Sequence, residues 1–312
     1  MLRFASRFAI GVIAIGVAIS TVLVAQQAPP RFAGGVDAVR LDVQVIRDGR
    51  PVENLTAADF SVLDSNVAQT PTLVSIDTLP INLMLVLDAS ASLRGPGLEQ
   101  LRDAAKSAVA ALRPTDQAAV LTFSHNVTLL ANWTSNREDL NKAIGRVVAQ
   151  GSTSLTDAAF AALAYRTKPG TRTLVLFFTD GDDTASWLSA SDLVPVARRS
   201  DAVVVGVMLT TPGHAGTAMP GMSSQIERWF AEEPSLYRAA MLPLLAIETG
   251  GETLQAADMS KLRPAFVDIV SRFSHRYVLS YTPAGVAPTG WHPIEVTVKG
   301  GGDVNVRRGY AR

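Results

Sequence analysis

Three short polar segments hold the side chains most able to act together. Asp88-Ala89-Ser90-Ala91-Ser92 sets an acid and two hydroxyls at alternate positions. Thr179-Asp180-Gly181-Asp182-Asp183 supplies further acids, and Gly151-Ser152-Thr153-Ser154-Leu155-Thr156-Asp157 is a polar loop before an Ala-rich helix. Carboxylate and hydroxyl oxygens are the donors a hard divalent cation takes. An acid, two serines, a threonine and a second acid, drawn from three loops, could share one ion. Taken alone, the first segment reads as well as a helix cap, because Asp and Ser are common caps.

The elements that must position these groups are short apolar strands. Ile81-Asn82-Leu83-Met84-Leu85-Val86-Leu87 follows Pro80 and runs into Asp88; Leu174-Val175-Leu176-Phe177-Phe178 runs into Thr179. Both read as strands buried on two faces. Side chains leaving such strands at the carboxyl end project into the crevice where open α/β sheets bind ligands.

With those residues in place, the chain resembles a von Willebrand factor type A domain with an intact metal-ion-dependent adhesion site. The family's Asp-x-Ser-x-Ser, its Thr after Gly-x and its Asp in a Thr-Asp-Gly turn map onto Asp88, Ser90, Ser92, Thr153 and Asp180. The resemblance implies hydroxyls that contact the ion and acids that bind it directly or through water. Two acids leave the site poor in charge and the metal electrophilic, so that a partner's carboxylate can take an open position. Mg²⁺ suits such a half-built shell, with Mn²⁺ or Ca²⁺ as alternatives. Asp157 reads as the N-cap of a helix beginning near Ala158 rather than as a ligand. Asp182 and Asp183 read as solvated turn residues that raise the local negative potential.

The 312 residues allow one sizeable core with a smaller unit attached. Hydrophobic residues make up 47% and charged residues 18%, a globular balance. Net charge is zero with no basic block, so nothing points to nucleic acid. There is no cysteine, which excludes disulfides and thiolate metal sites. Arg3 and Arg7 precede an apolar stretch from Phe8 to Ala25, followed by Gln26, Gln27 and Ala28-Pro29-Pro30. Residues 1–28 therefore read as a secretory signal cleaved near Ala25, or as an uncleaved anchor, and the protein as secreted or of the cell envelope.

Residues 36–78 alternate with period two, as in Val39–Val45, and Asp48-Gly49 marks a hairpin. Residues 79–275 alternate strands with helices, which predicts a doubly wound, mostly parallel α/β sheet. Leu98, Leu101, Ala105, Val109 and Leu112 form one helical stripe; Leu140, Ile144, Val147 and Val148 form another, opened by a capping box at Ser135–Glu138. Leu262, Phe266, Ile269, Val270 and Phe273 face inward on a last helix. Residues 276–312 return to β character. Neither flank has strands enough to stand alone, so the two are expected to build one small β-sandwich with the α/β unit inserted between them. The flanks, with Leu55-Thr56…Asp59-Phe60-Ser61-Val62 and Val306-Arg307-Arg308-Gly309-Tyr310, also resemble a bacterial subfamily of these domains.

His125, His214, His275 and His292 are scattered without metal spacing, and three Asn-x-Thr triplets, at Asn54, Asn126 and Asn132, match the glycosylation acceptor pattern that also arises by chance. No nucleophile elbow or phosphate loop is present. A phosphatase or other metal-dependent hydrolase using Asp88 as nucleophile is the enzymatic rival, though such strand ends usually place a second acid where Ser90 stands. The stronger expectation is a non-enzymatic, cation-dependent module that binds a protein ligand. Thr210–Ser235, with Ile226, Trp229 and Phe230, reads as an insertion bordering the site, and Trp187 as an apolar anchor nearby.

Overall fold

A computed structural model describes residues 38–74, 79–181, 183–209 and 234–312, with the backbone alone from 234 to 240. The expected leader over residues 1–28 lies outside these, as do Asp182, His214 and residues 210–233 of the expected insertion, Ile226, Trp229 and Phe230 among them.

The two apolar runs form the middle of a six-stranded sheet. Its strands are β6 (Ile81–Asp88), β7 (Gln117–Phe123), β8 (Val127–Thr134), β9 (Arg172–Thr179), β10 (Val203–Leu209) and β11 (Glu252–Ala256), in the order β11-β10-β9-β6-β7-β8. All neighbours are parallel except β8, which runs antiparallel to β7 along one edge. Every residue of β6 and β9 is buried, because helices cover both faces of the sheet. Ile81, Leu83, Leu85 and Leu87 point to one layer, which includes α1 (Pro96–Ala110) and α2 (Arg137–Gly145). Met84 and Val86 point to the other, with α3 (Leu155–Ala164), α4 (Leu193–Arg199) and α5 (Pro234–Thr249). The last helix, α6 (Leu262–Ser274), joins the first layer through Leu262, Phe266, Ile269, Val270 and Phe273.

Two local expectations are corrected here. The cap of α2 is Asn136, not a box opened by Ser135: its side chain accepts from the N–H groups of Glu138 and Asp139. The inward stripe of α2 keeps Leu140, Ile144 and Val147, but Val148 is 60% exposed. The helix ends at Gly145, so helical periodicity no longer governs where residue 148 points.

The flanks form two antiparallel sheets packed on one another. One holds β1 (Val39–Arg47), β2 (Arg50–Pro51), β5 (Thr72–Val74), β12 (Tyr277–Tyr281) and β14 (Asp303–Asn305); the other holds β3 (Phe60–Asp64), β4 (Val67–Gln69), β13 (Trp291–Val298) and β15 (Gly309–Ala311). Each sheet mixes strands from both ends of the chain: Leu41 lies opposite Leu279, and Val62 opposite Val296. Leu41, Val43, Val45, Val62, Leu279, Tyr281 and Val296 share one apolar core between the sheets. Asp48 and Gly49 both take positive φ, at 50° and 73°, as a two-residue hairpin turn requires.

Buried arginines join this sandwich to the α/β unit. Arg172, at the start of β9, donates Nε–H to Asp42 Oδ1 at 2.7 Å and an Nη2–H to the carbonyl of Phe273 at 2.8 Å. Arg276 donates to the carbonyl of Gly250 at 2.7 Å and to Gln44 Oε1 at 3.2 Å. Burial lowers the Arg276 guanidinium to about 10, still charged at neutral pH. Among the described residues, no helix is long and apolar enough to cross a membrane.

Candidate metal centre

The site is built at the carboxyl ends of β6 and β9. These strands are hydrogen-bonded neighbours in register from Ile81 with Arg172 to Leu87 with Phe178, so the next residues, Asp88 and Thr179, emerge side by side. Asp88 is fully buried. Its Oδ1 accepts from the N–H of Ser90 at 2.8 Å, and its Oδ2 accepts from the hydroxyl of Thr179 at 2.8 Å. Ser90 Oγ lies 2.9 Å from Ser92 Oγ, and Ser92 donates to Asp180 Oδ1 at 3.0 Å. Asp88, Ser90, Ser92 and Asp180 thus form one hydrogen-bonded series that runs from the buried end of β6 outward to exposed Ser92 and half-buried Asp180.

Backbone ties bring the Thr153 loop to the same edge. Ala91 N–H donates to Gly151 O at 3.0 Å and Gln150 N–H to Ala89 O at 2.8 Å, joining the loops of Ser90 and Thr153. Gly151 has φ +74°, and a Cβ there would stand 2.2 Å from His125 Nδ1, so this crossing needs glycine. Thr153 N–H donates to Thr184 Oγ1 at 3.0 Å, and Thr153 O accepts from the N–H groups of Thr184 and Ala185, both at 2.9 Å. No hydrogen bond links the Thr153 hydroxyl to the other four side chains among the described residues; only the backbone of its loop is tied to theirs.

Electrostatics set the two acids apart from ordinary surface carboxylates. Burial raises the Asp88 carboxyl from 3.8 to about 6, against the lowering effect of its bonds from Ser90 and Thr179. Burial also raises Asp180, opposed by the hydroxyls of Ser92 and Ser90. No group of three or more His, Cys, Asp or Glu side chains able to hold a metal occurs among the described residues. The donor set is instead two carboxylates and three hydroxyls, all oxygen, which fits a hard cation that keeps part of its water shell. A cation at this edge would restore the charge compensation that burial removes from Asp88.

Two neighbouring acids differ from expectation. Asp183 is buried rather than solvated. It accepts from the N–H of Thr156 at 2.9 Å, from the Thr156 hydroxyl, and from the N–H of Ser186 at 3.1 Å. Burial raises its carboxyl, but these bonds outweigh burial and leave it below the ordinary value. Asp157 lies inside the first turn of α3, not at its cap. Its carboxylate accepts from the N–H groups of Trp187 and Leu188 at 3.1 and 3.0 Å. Thr179 was not singled out from the sequence, although its place just before Asp180 in the Thr-Asp-Gly turn was the available signal.

Comparison with known proteins bears on the domain that carries this site. Residues 83–182 match the family model of the von Willebrand factor type A domain. Inter-alpha-trypsin inhibitor heavy chain H4 of Bos taurus is 31% identical over an alignment of 123 residues that covers 35% of this chain and 13% of that protein. The chain therefore spans only a small part of the length of such relatives. A von Willebrand factor type A structure from Catenulispora acidiphila superposes with a TM-score of 0.51 at 12% identity, over 86% of this chain and 71% of that one. Proximal thread matrix protein 1 from the mussel byssus, solved with a zinc-occupied MIDAS motif, gives a TM-score of 0.50 at 18% identity, over 70% of this chain and 51% of that one. The likeness to both structures is one of fold. The stretch that matches the von Willebrand factor type A family model, residues 83–182, thus coincides with the strands whose carboxyl ends build the site.

Proposed function

We propose that this protein is a divalent-cation-dependent protein-binding module of the secreted space or cell envelope, with Asp88, Ser90, Ser92, Thr153 and Asp180 as the metal ligands. The observation that carries the reading is the linked series of oxygen side chains, Asp88, Ser90, Ser92 and Asp180, at one sheet edge, with the Thr153 loop tied to it by backbone bonds and Asp88 left by burial short of compensating charge. Mg²⁺ is the favoured ion, with Mn²⁺ or Ca²⁺ able to take its place; when bound, it supplies an electrophilic position for a carboxylate of the partner protein. The mussel protein's zinc-occupied motif supports a divalent ion in a domain of this fold. Residues 79–275 are the binding unit, and residues 36–78 and 276–312 are its mount. Export rests on the apolar stretch within residues 1–28, and the flanking motifs support a likeness to a bacterial subfamily of these domains.

The arrangement argues against the hydrolase alternative. Both Asp88 oxygens accept hydrogen bonds inside a fully buried position, which leaves a poor nucleophile. Ser90 bonds to another serine, not to an imidazole that could activate it.

Calorimetric titration of the chelator-treated chain with Mg²⁺ and Mn²⁺ tests the assignment. Wild type should bind one ion, and Asp180→Ala and Ser92→Ala should weaken binding while circular dichroism stays unchanged. Equal affinity in all three would overturn the ligand set.

A further inference from the structure

The segment after Asp180 is fastened to the start of α3 along its length. Asp183 holds Thr156, and the N–H groups of Thr184 and Ala185 donate to Thr153 O at 2.9 Å. Asp157 N–H donates to Ser186 Oγ at 3.1 Å, and the Asp157 carboxylate receives the N–H groups of Trp187 and Leu188. The backbone on both sides of Trp187 is therefore fixed. Its indole is nevertheless 95% exposed, and Leu188 beside it is 37% exposed. A large aromatic on a fixed backbone gives up little conformational freedom on binding, and tryptophan is enriched among the residues that dominate interface energies. Thr153, the residue to which this segment is pinned, belongs to the proposed ligand set.

A cation stands on the loop of the serines. Arg94, two residues beyond Ser92, is exposed and donates Nε–H to the carbonyl of Ala149 at 3.4 Å, which ties it to the stretch leading into Gly151. No carboxylate pairs with it among the described residues. The strand-end loops thus carry the proposed metal ligands, an exposed guanidinium with a backbone contact and an exposed indole on a pinned backbone, a combination that complements an acidic segment with an apolar side chain close to its carboxylates.

We propose that Arg94 and Trp187 complete the docking surface for a protein segment that brings two acidic side chains, one to the ion and one to Arg94, and an apolar side chain to the face of Trp187. This rests on the cation-dependent binding reading above and names the chemistry of the partner it would take. Neither residue is a metal ligand, so the two ideas separate by experiment.

Random displayed peptides are selected on the full chain in Mg²⁺ and released with EDTA, and the recovered peptides are measured by calorimetry. The expected sequences carry paired Asp or Glu with an aromatic or large aliphatic residue a few positions away. Trp187→Ala should weaken them by roughly tenfold or more while Mg²⁺ affinity is unchanged. Arg94→Gln should weaken them and reduce their dependence on ionic strength. Peptides that bind Trp187→Ala and Arg94→Gln as tightly as wild type overturn the proposal and leave the metal assignment standing. Failure to recover any EDTA-released peptide, from a chain that calorimetry shows to bind Mg²⁺, overturns the proposal and leaves the metal assignment standing, whereas a chain that binds no Mg²⁺ overturns the cation-dependent reading itself. Loss of self-association in Trp187→Ala, with peptide affinity unchanged, assigns the indole to a second copy of the chain and also overturns the proposal.

Discussion

Asp88 should make the metal-free protein less stable than it would be with an uncharged side chain in the same place. The perturbation is Asp88→Asn. Asn keeps an oxygen for the Ser90 N–H, which Asp88 Oδ1 accepts at 2.8 Å. Its amide would face Thr179 Oγ1, and the Thr179 hydroxyl can turn its proton to Gly181 O, 3.0 Å away. No hydrogen bond need be left unmade. Burial raises the wild-type carboxyl from 3.8 to about 6, a difference worth about 3 kcal/mol. The sign follows from proton binding. Well below 3.8 the carboxyl is protonated folded and unfolded, and the penalty is absent. Between 3.8 and about 6 the folded chain keeps a proton that the unfolded chain releases, so stability falls as pH rises. Above that window the full penalty is present. In chelator near neutral pH, Asp88→Asn should therefore melt higher than wild type, by about 5 °C for a chain of this size. The advantage should vanish toward pH 4. Added Mg²⁺ should raise the wild-type midpoint and leave the variant unmoved, because a ligand stabilises only the state that binds it. Scanning calorimetry across this pH range reads all three effects. A variant no more stable than wild type in chelator, or an advantage that grows on acidification, would refute the reasoning.

Two further outcomes concern the frame. Asp42→Ala leaves the fully buried Arg172 side chain without the carboxylate 2.6 Å from it, and should cost about 3–5 kcal/mol, read as a lower urea midpoint at unchanged slope. A chain shortened by residues 276–312 loses β12 to β15, and with them the partners of β1 and β3; residues 38–74 should then be cut quickly in limited proteolysis, and persistent protection there would count against the shared sandwich.

The strand ends that carry the candidate site were legible because its polar residues sit where periodicity changes. Unbroken apolar runs ending at Asp88 and Thr179 mark buried parallel strands, and parallel strands deliver their last residues to one edge. What escaped were side chains whose role depends on a distant partner. Asp183 follows two acids in a polar turn and looks solvated, yet Thr156, far off in sequence, supplies its hydrogen bonds. Asp157 has the composition of a cap, but the N–H groups it satisfies belong to Trp187 and Leu188. In the flanks, period two identified strands and the shortage of partners at each end implied a common core. Alternation alone carries no information on which strand meets which, so the pairing of β1 with β12 and of β3 with β13 came only with the fold. Val148 illustrates the limit of helical spacing, which lapses once the helix ends at Gly145.

The interleaved sandwich also sets an order of events. Leu41 meets Leu279 and Val62 meets Val296, so these pairings join opposite ends of the chain. The central sheet is assembled largely from neighbouring strand–helix units, whose contacts form early because little chain must be closed to make them. During synthesis β1 and β3 have only the short neighbours β2 and β4 to pair with until β12 and β13 have been made. The sandwich is then the slow, final clasp of the molecule, and until it closes the exposed edges of β1 and β3 are the surfaces most open to pairing with another chain.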